Sequence, residues 1–546
     1  MAFSTAAFSA IARKPMSGNT RAICHKRWRT CIWNVLRERY IWVLAKIKME
    51  KYRINGIDCL NRLRIIILLC TIACQMQAQK WDWWPLAINE SLVTGDTIMY
   101  HTQLSSLASS GDMAPFLLRT NQQGNISSKP YSVNASVGVS KMASNVSRWW
   151  DYSFGVQLTG RAANQPREYF TDLWLPSWDF TGYCEQLWAH ARLWVVDVTA
   201  GVKPIQQGSQ SKTMSMGALL FSNNAHAIPR VTIGIDEYIA FPGLYGYLEI
   251  KGGITHGWLG DDNRYVEKVQ LHHKFIGLRL GGKLPVTLAY EMHHATQWGG
   301  YKLPTGNGEK VDYGNRLSDW WNVFLFRSGG ISLSDQLNAQ GNHIGVQEVA
   351  LKYQQNGWRF TAYWQSIFED MSARFIGFGT NARDGLWGVN VRQDRWPFIN
   401  EWTYEFLNTT HQSGPLHDKD GLVFAGGDSY YTNSAYPAGW TYYGQIIGNP
   451  YLQTNNNRVR AHFVGISGDI YGYKYRILAS HVDNYGRYKE PSQSTNTALA
   501  IEVNHRFKKL WGLEIGVALA GDIGTQYGNQ IGGSIRIAKT GILCTY

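Results

Sequence analysis

ALAIEVNHRFKKLWGLEIGVALAG, Ala498 to Gly521, holds two alternating segments joined by KKLWG. Large apolar side chains fall on every second position, Leu499, Ile501 and Val503 and then Leu513, Ile515, Val517 and Leu519, with small or polar residues between them. Successive strand residues point to opposite faces, so each segment has one apolar and one small or polar face. About ten such residues have the length and pattern of a tilted strand crossing an outer membrane, apolar side to lipid and polar side to the lumen.

The same pattern recurs along the chain. It appears in YSFGVQLTG (152–160), VQLHHKFIGLRLG (269–281), VTLAYEMHH (286–294) and GWRFTAYWQSI (357–367), each bounded by turn-forming residues. Short and long connections alternate. Brief turns join 269–280 to 286–296, 344–353 to 357–367, 387–395 to 399–408, 459–468 to 471–482 and 496–507 to 511–520. Long connections lie between these hairpins, at 297–343, 368–386, 409–458 and 483–495, with 257–268 on the same side. Outer-membrane barrels place short turns on the periplasmic side and long loops outside. The parity predicts twelve strands from residue 245 onward, provided that Trp320–Phe326 lies within a loop as a short helix, and four to six more within 130–240. The expected fold is all-β: an antiparallel transmembrane barrel of about 16–18 strands with long aromatic-rich extracellular loops. Trp320, Trp321, Trp387 and Trp402, at segment ends, suit an interfacial girdle. A large soluble sandwich or propeller would leave the alternation of loop lengths unexplained, and no blade-length repeat is present.

The formal charge of +13 sits almost wholly at the N-terminus. Residues 1–79 carry 14 Lys/Arg against three acids, and the remainder 39 against 37, so nucleic acid is not expected as a partner. Lys51, Arg53, Arg62 and Arg64 precede the apolar run IIILLCTIAC (65–74), then QMQAQ. Residues 49–78 therefore read as a cleaved signal peptide starting at Met49, and 1–48 as an extension with no role in the fold. Lipidation at Cys74 is the alternative processing route. Residues 79–130 are assigned to an N-terminal periplasmic or lumen segment and 131–546 to the barrel. Beyond the presequence only Cys184 and Cys544 remain, too few for a disulfide framework.

The outer connections are rich in Trp, Tyr, Asn, Asp and Gly, as in GGDSYYTNSAYPAGWTYYGQIIGNP (426–450). Flat rings beside directional hydrogen-bonding groups match the apolar face and hydroxyl rim of a pyranose. Self-packing of these loops over the barrel mouth is the plainer alternative. HHATQWGGYKLPTGNGEK (293–310) lacks the spacing and the Ser/Thr of a Walker phosphate loop. Centring its hairpin on Gly282–Leu284 makes His272/His294 and His273/His293 cross-strand neighbours near the outer rim, one pair facing the lumen and the other the lipid. They read as polar filling rather than a metal site. Candidate carboxylates Glu309, Glu369, Asp370 and Asp384 show no glycosidase-like pairing, and no nucleophile elbow is present, so no enzyme and no cofactor are expected.

Several strings resemble the capsule assembly Wzi family of outer-membrane proteins in its Bacteroidetes form. They are PFLLRTNQQGNIS (115–127), FPGLYGYLEIKGGITHGWLGDDNRYVEKVQLHHK (241–274), the His293–Lys310 stretch, GGISLSDQLNAQGNHIG (329–345), QSIFED (365–370), DGLWGV (384–389) and GWTYYGQIIGNP (439–450). The resemblance implies an 18-stranded barrel with a helical or looped N-terminal portion, although residues 80–130 show little amphipathic helix. It also implies a non-catalytic lectin holding capsular or extracellular polysaccharide at the cell surface, with outer-membrane lipid and polysaccharide export machinery as further partners. On the matching loops the expected sugar-binding residues are Trp298, Tyr301, Asn307, Asp384, Trp387, Tyr430, Tyr431, Trp440 and Asn449. A diffusion porin or transporter for glycans is the rival reading.

Overall fold

The computed structural model describes residues 97–143, 149–164, 178–205, 207–260, 265–302, 311–330, 339–369, 381, 383–415, 417–419, 422–425 and 427–545. The expected extension and signal peptide, 1–78, lie outside the described residues.

Eighteen antiparallel strands form one closed sheet. They are β1 Thr97–Ser109, β2 Tyr131–Lys141, β3 Trp150–Asn164, β4 Trp178–Leu193, β5 Val196–Val202 and β6 Pro229–Ala240. Then come β7 Leu248–Leu259, β8 Val269–Leu280, β9 Val286–Trp298, β10 Asn342–Gln355, β11 Trp358–Phe368 and β12 Gly385–Gln393. The last six are β13 Glu401–Asn408, β14 Val459–Ile470, β15 Tyr473–Gly486, β16 Pro491–Phe507, β17 Leu513–Gly524 and β18 Gln530–Thr545. Each strand pairs with its sequence neighbours, and β1 closes the ring on β18 with Thr97 opposite Thr545. Closure leaves no free edge, so every strand can place its backbone groups in the ladder.

The five expected hairpins are present, and twelve strands follow residue 245. Tight turns have local causes. Asn356-Gly357 and Tyr471-Gly472 hold consecutive positive φ angles of 54° and 78° and of 54° and 84°. This is the backbone a two-residue hairpin needs to match strand twist. The connection expected over 483–495 shrinks to 487–490, because β15 and β16 extend past the alternating core of their sequences. A nine-residue helix, α1 Leu317–Leu325, interrupts the connection between β9 and β10.

The barrel begins at Thr97 rather than at residue 131. TIMYHTQLSSLAS carries Ser, Thr and Gln where other strands carry large aliphatics, which weakens its alternation, but its register against β2 and β18 is continuous over Leu104 and its neighbours. Leu499, Ile501, Leu519, Ile531 and Ile535 are exposed on the outer wall, while their alternates Ala500, Glu502 and Ala520 are buried in the lumen. The main hydrophobic cluster therefore lies inside the barrel, where two long connections enter it.

Candidate functional site

The 203–228 connection between β5 and β6 turns inward. Its Met214, Met216, Leu219, Leu220 and Phe221 are buried with Phe463 and Leu407 of the wall. Its polar groups meet lumen-facing side chains at fixed points. Ser211 Oγ donates to Glu401 (2.7 Å), Ser215 Oγ and Met216 N donate to the two oxygens of Glu405, and Leu219 N donates to Gln365 (3.0 Å). Arg476, paired with Glu502 at 2.7 Å, donates to the Thr213 carbonyl. Gly208, which passes beside Glu348 and Gln365 of the wall, sits at φ +92°, a backbone conformation that favours glycine. A second inward segment, 110–130, is fixed by Asp522, which accepts from Phe116 N at 2.8 Å. It joins the first through Gln123 N to the Asn223 carbonyl and Gly124 N to the Asn224 carbonyl.

Above this plug lies a cap, residues 427–458, and here the expected sugar-binding residues are corrected. Tyr430, Tyr431, Trp440, Asn449 and Asp384 are all 0% exposed, so they have no face to offer a glycan. Trp440 Nε1 donates to the Leu220 carbonyl at 2.8 Å, Tyr431 OH to the Leu219 carbonyl, and Asn449 Nδ2 to the Gly217 carbonyl at 2.6 Å. These three bonds latch the cap onto the plug. Asp384 accepts from Tyr430 OH, His411 N and Gln412 N, and burial pushes its carboxyl pKa up. Glu369 accepts from Tyr431 N. Self-packing, the plainer alternative, governs these positions, because a buried aromatic with its polar tip bonded is more stable than an exposed one.

The remaining expected residues are scattered. Trp298 is buried beside His256 on the barrel wall. Trp387 faces outward and stacks on Trp364 at 6.3 Å, in keeping with its girdle reading rather than with a sugar platform. Tyr301 is half-buried on a small three-stranded sheet, with Lys268 Nζ 5.9 Å from its ring. Asn307 lies outside the described residues, as do Glu309 and Asp370.

The histidine register is shifted by two. His272 lies opposite Thr296 and His294 opposite Lys274, because the turn centres on Leu284 before Pro285. A two-residue shift keeps each side chain on its face. His273 and His293 meet in the lumen at 3.1 Å, and His273 packs on Phe221 of the plug, while His272 and His294 face outward beneath α1. Elsewhere, Ser153, His190 and Asp197 line up at 3.2 and 3.0 Å on β3, β4 and β5. Asp197 is also bonded to Arg192 at 2.7 Å, and all three side chains are buried. The group reads as lumen packing.

What sequence reasoning missed is an aromatic row at the mouth, exposed at Tyr443 and half-buried at His226 and Tyr183. Tyr443 and Gly444 form the tip of a two-residue hairpin, both with positive φ, and Tyr443 is 55% exposed. The same Tyr-Gly turn signal occurs at 471–472, so it was available in the sequence. His226 lies edge-on to Tyr443 (5.8 Å) and to Tyr183 (4.9 Å). Tyr183 OH donates to Asn125, Asn125 donates to Glu185, and Arg161 lies 5.7 Å from the Tyr183 ring. From the row a cavity of about 230 Å³ runs between the plug and the wall of β1–β4 and β14–β18, with Asn125, Asn134, Gln157, Glu185, Arg476 and Arg536 in its lining. Both polar atoms of the Asn134 side chain, Ser105 Oγ and Asn121 Oδ1 are buried without a protein partner. Such groups need a ligand or water with several donors and acceptors.

Burial, with Arg161 nearby, lowers the His226 pKa to about 4. The folded value lies below the unfolded value of about 6.5, so the neutral ring is the stabilising form. This contribution is complete above about pH 6.5 and is lost as pH falls toward 4. Acid should therefore loosen the mouth, and His226→Phe should flatten the dependence of the melting temperature on pH between about 6.5 and 4. An unaltered slope would show that His226 is not the titrating group.

Comparison with known proteins adds the kinship. No curated protein matches the sequence. Among solved structures, Wzi of Escherichia coli, an outer membrane protein involved in group 1 capsule assembly and a carbohydrate-binding β-barrel, superposes with a TM-score of 0.51 at 14% identity. The match covers 80% of this chain and 84% of that one, and shows a shared fold. OccK5 of Pseudomonas aeruginosa matches at a TM-score of 0.42 and 10% identity, over 82% of this chain and 98% of that one. The family profile of capsule assembly protein Wzi matches residues 191–520, more than half of the chain, and the protein therefore belongs to the Wzi capsule assembly family.

Proposed function

We propose that this protein is an outer-membrane barrel that holds capsular or extracellular polysaccharide at the cell surface during capsule assembly, without catalysing a reaction. The observation that carries this reading is the filled lumen. A plug bonded to Glu401, Glu405 and Gln365, and latched from above by the cap, leaves the long-connection end as a surface rather than a pore mouth. The Tyr443–His226–Tyr183 row, with Asn125 and Glu185 beside it, supplies rings and hydrogen-bonding groups of the kind a sugar face and its hydroxyls match. The exposed aliphatic outer wall supports membrane residence, as do the aromatics Trp194, Tyr245, Tyr471 and Trp511 at the short turns. Export through a cleaved signal peptide and contact with polysaccharide export machinery belong to the same reading.

The test is binding of the detergent-solubilised protein to polysaccharide from its own host's surface, with an unrelated acidic polysaccharide at matched salt as the control. Saturable binding to the host polymer is expected, and Tyr443→Ala with Tyr183→Ala should weaken it about tenfold, roughly 1.4 kcal/mol. Unchanged affinity in that variant would remove the aromatic row from the site. The 230 Å³ cavity and its unpartnered amides favour a second reading, a glycan transporter with a narrow path beside the plug. Large steady conductance of the unmodified protein, with no polymer binding, would select it.

A further inference from the structure

Helix α1 is apolar on two sides, and among the described residues only one of them is covered by protein. Its inner side, Trp320, Val323 and Phe324, lies on the outer wall of β8–β10. Trp320 and Phe324 meet His272 edge-on at 5.5 and 5.6 Å, and Phe326, just past the helix, lies 4.4 Å from His343 and 5.0 Å from His294. Lys274, also on the outer face, donates to the Phe324 carbonyl at the helix C-terminus, where a cation is favoured. This explains why outward-facing histidines are buried. The other side carries Leu317, Trp321 and Leu325, at positions i, i+4 and i+8, which are 73%, 49% and 45% exposed. Residues four apart share a helix face, so these three form one stripe.

The stripe continues an apolar wall. On β8 the outward positions run His272, Lys274, Ile276, Leu278 and Leu280, with the first two beneath α1 and the last three exposed. Leu288 of β9, Leu351 of β10 and Ile254 of β7 are exposed on the same outer surface. The lipid-facing belt thus begins one outward position below the residues that the helix covers. Arg316 and Arg327 flank the helix, and both are exposed. A short helix with an apolar stripe and basic ends fits the boundary between acyl chains and anionic headgroups.

We propose that α1 is a membrane-interface anchor, its Leu317–Trp321–Leu325 stripe set among the acyl chains of phosphorylated outer-leaflet lipid, with Arg316 and Arg327 beside the phosphates. The inference rests on the outer-membrane reading above. It assigns the long β9–β10 connection a task other than sugar binding: holding the outer rim of the barrel at a fixed depth.

The test uses Trp321→Cys in the full chain with all seven native cysteines, Cys24, Cys31, Cys59, Cys70, Cys74, Cys184 and Cys544, replaced by serine, labelled with a polarity-sensitive fluorophore and reconstituted into phosphatidylcholine–phosphatidylglycerol vesicles. Reporters at Ile501, on the outer wall, and at Tyr443, on the cap, serve as references. The expected result is blue-shifted emission at 321, quenched about twofold more by shallow than by deep spin-labelled lipid. Quenching at 501 and none at 443 should accompany it. Arg316→Gln with Arg327→Gln should reduce the dependence of the 321 signal on phosphatidylglycerol. Quenching at 501 but not at 321 would overturn the anchor and leave the barrel reading standing. A 321 signal that depends on protein concentration rather than on lipid would overturn it in favour of a second copy covering the stripe. Quenching at neither site would remove the membrane reading itself, and the anchor with it.

Discussion

Replacing residues 207–224 by a short Gly-Ser linker should turn a closed barrel into an open pore, with large steady conductance in planar bilayers where the unmodified protein shows little. The wall does not depend on the plug for its backbone hydrogen bonds, since all eighteen strands pair with one another and β1 closes on β18. The linker needs little reach, because Val202 and Pro229, at the two ends of the connection, are paired neighbours in the sheet. The groups left behind, Glu348, Glu401, Glu405 and the Arg476–Glu502 pair, are ionisable and would hydrate once the plug is gone. Barrels of about 16–18 strands enclose a water-filled channel when nothing fills them. A variant that inserts and melts cooperatively yet stays closed would show that the cap and residues 110–130 seal the barrel by themselves.

The second large effect concerns Trp440. Trp440→Ala should destabilise the protein by about 3–5 kcal/mol, the range for deleting a fully buried large aromatic. The ring packs 5.7 Å from Phe221 of the plug, and its Nε1 is the donor to the Leu220 carbonyl. Trp440→Phe restores most of the packing but leaves that carbonyl without its donor, a cost of about 1–3 kcal/mol. The order Ala worse than Phe worse than wild type, read from equilibrium urea unfolding in detergent, separates packing from hydrogen bonding. A loss below about 1 kcal/mol for the alanine variant would mean that the cap is not latched through this residue. Because the same residue was expected to stack on sugar, polysaccharide binding by Trp440→Phe is also informative: retained affinity places the sugar elsewhere.

The two readings of Trp440 show where sequence reasoning stops. Its stretch, GWTYYGQIIGNP, was identified as part of a loop rich in rings and amides, and that composition is real. Composition does not say whether a ring faces outward or inward. Trp440, Tyr431 and Asn449 turn inward because the 203–228 segment brings the carbonyls of Gly217, Leu219 and Leu220 beneath them. That meeting joins residues more than 200 positions apart, and no local pattern encodes it. Tyr443, three residues from Trp440, points outward because it occupies the tip of a Tyr-Gly hairpin turn. The histidines illustrate the intermediate case: period-two alternation assigned His273 and His293 to one face and His272 and His294 to the other, while the register slipped by two.

By itself the sequence determined most of the wall: an antiparallel barrel of strands alternating apolar and polar from β2 onward, with long connections gathered at one end and a short helix around Trp320 in one of them. Local geometry suffices there, because strand alternation and turn residues repeat within about ten positions. A lumen position for 110–130 was one of the two places read from the sequence, but only the tertiary structure decided between them, sent 203–228 into the lumen, latched the cap to it, and brought Tyr443, His226 and Tyr183 into one row. A loop's backbone groups and rings can be satisfied by water, by a ligand or by another loop. That choice depends on which partners the closed barrel brings within hydrogen-bonding distance.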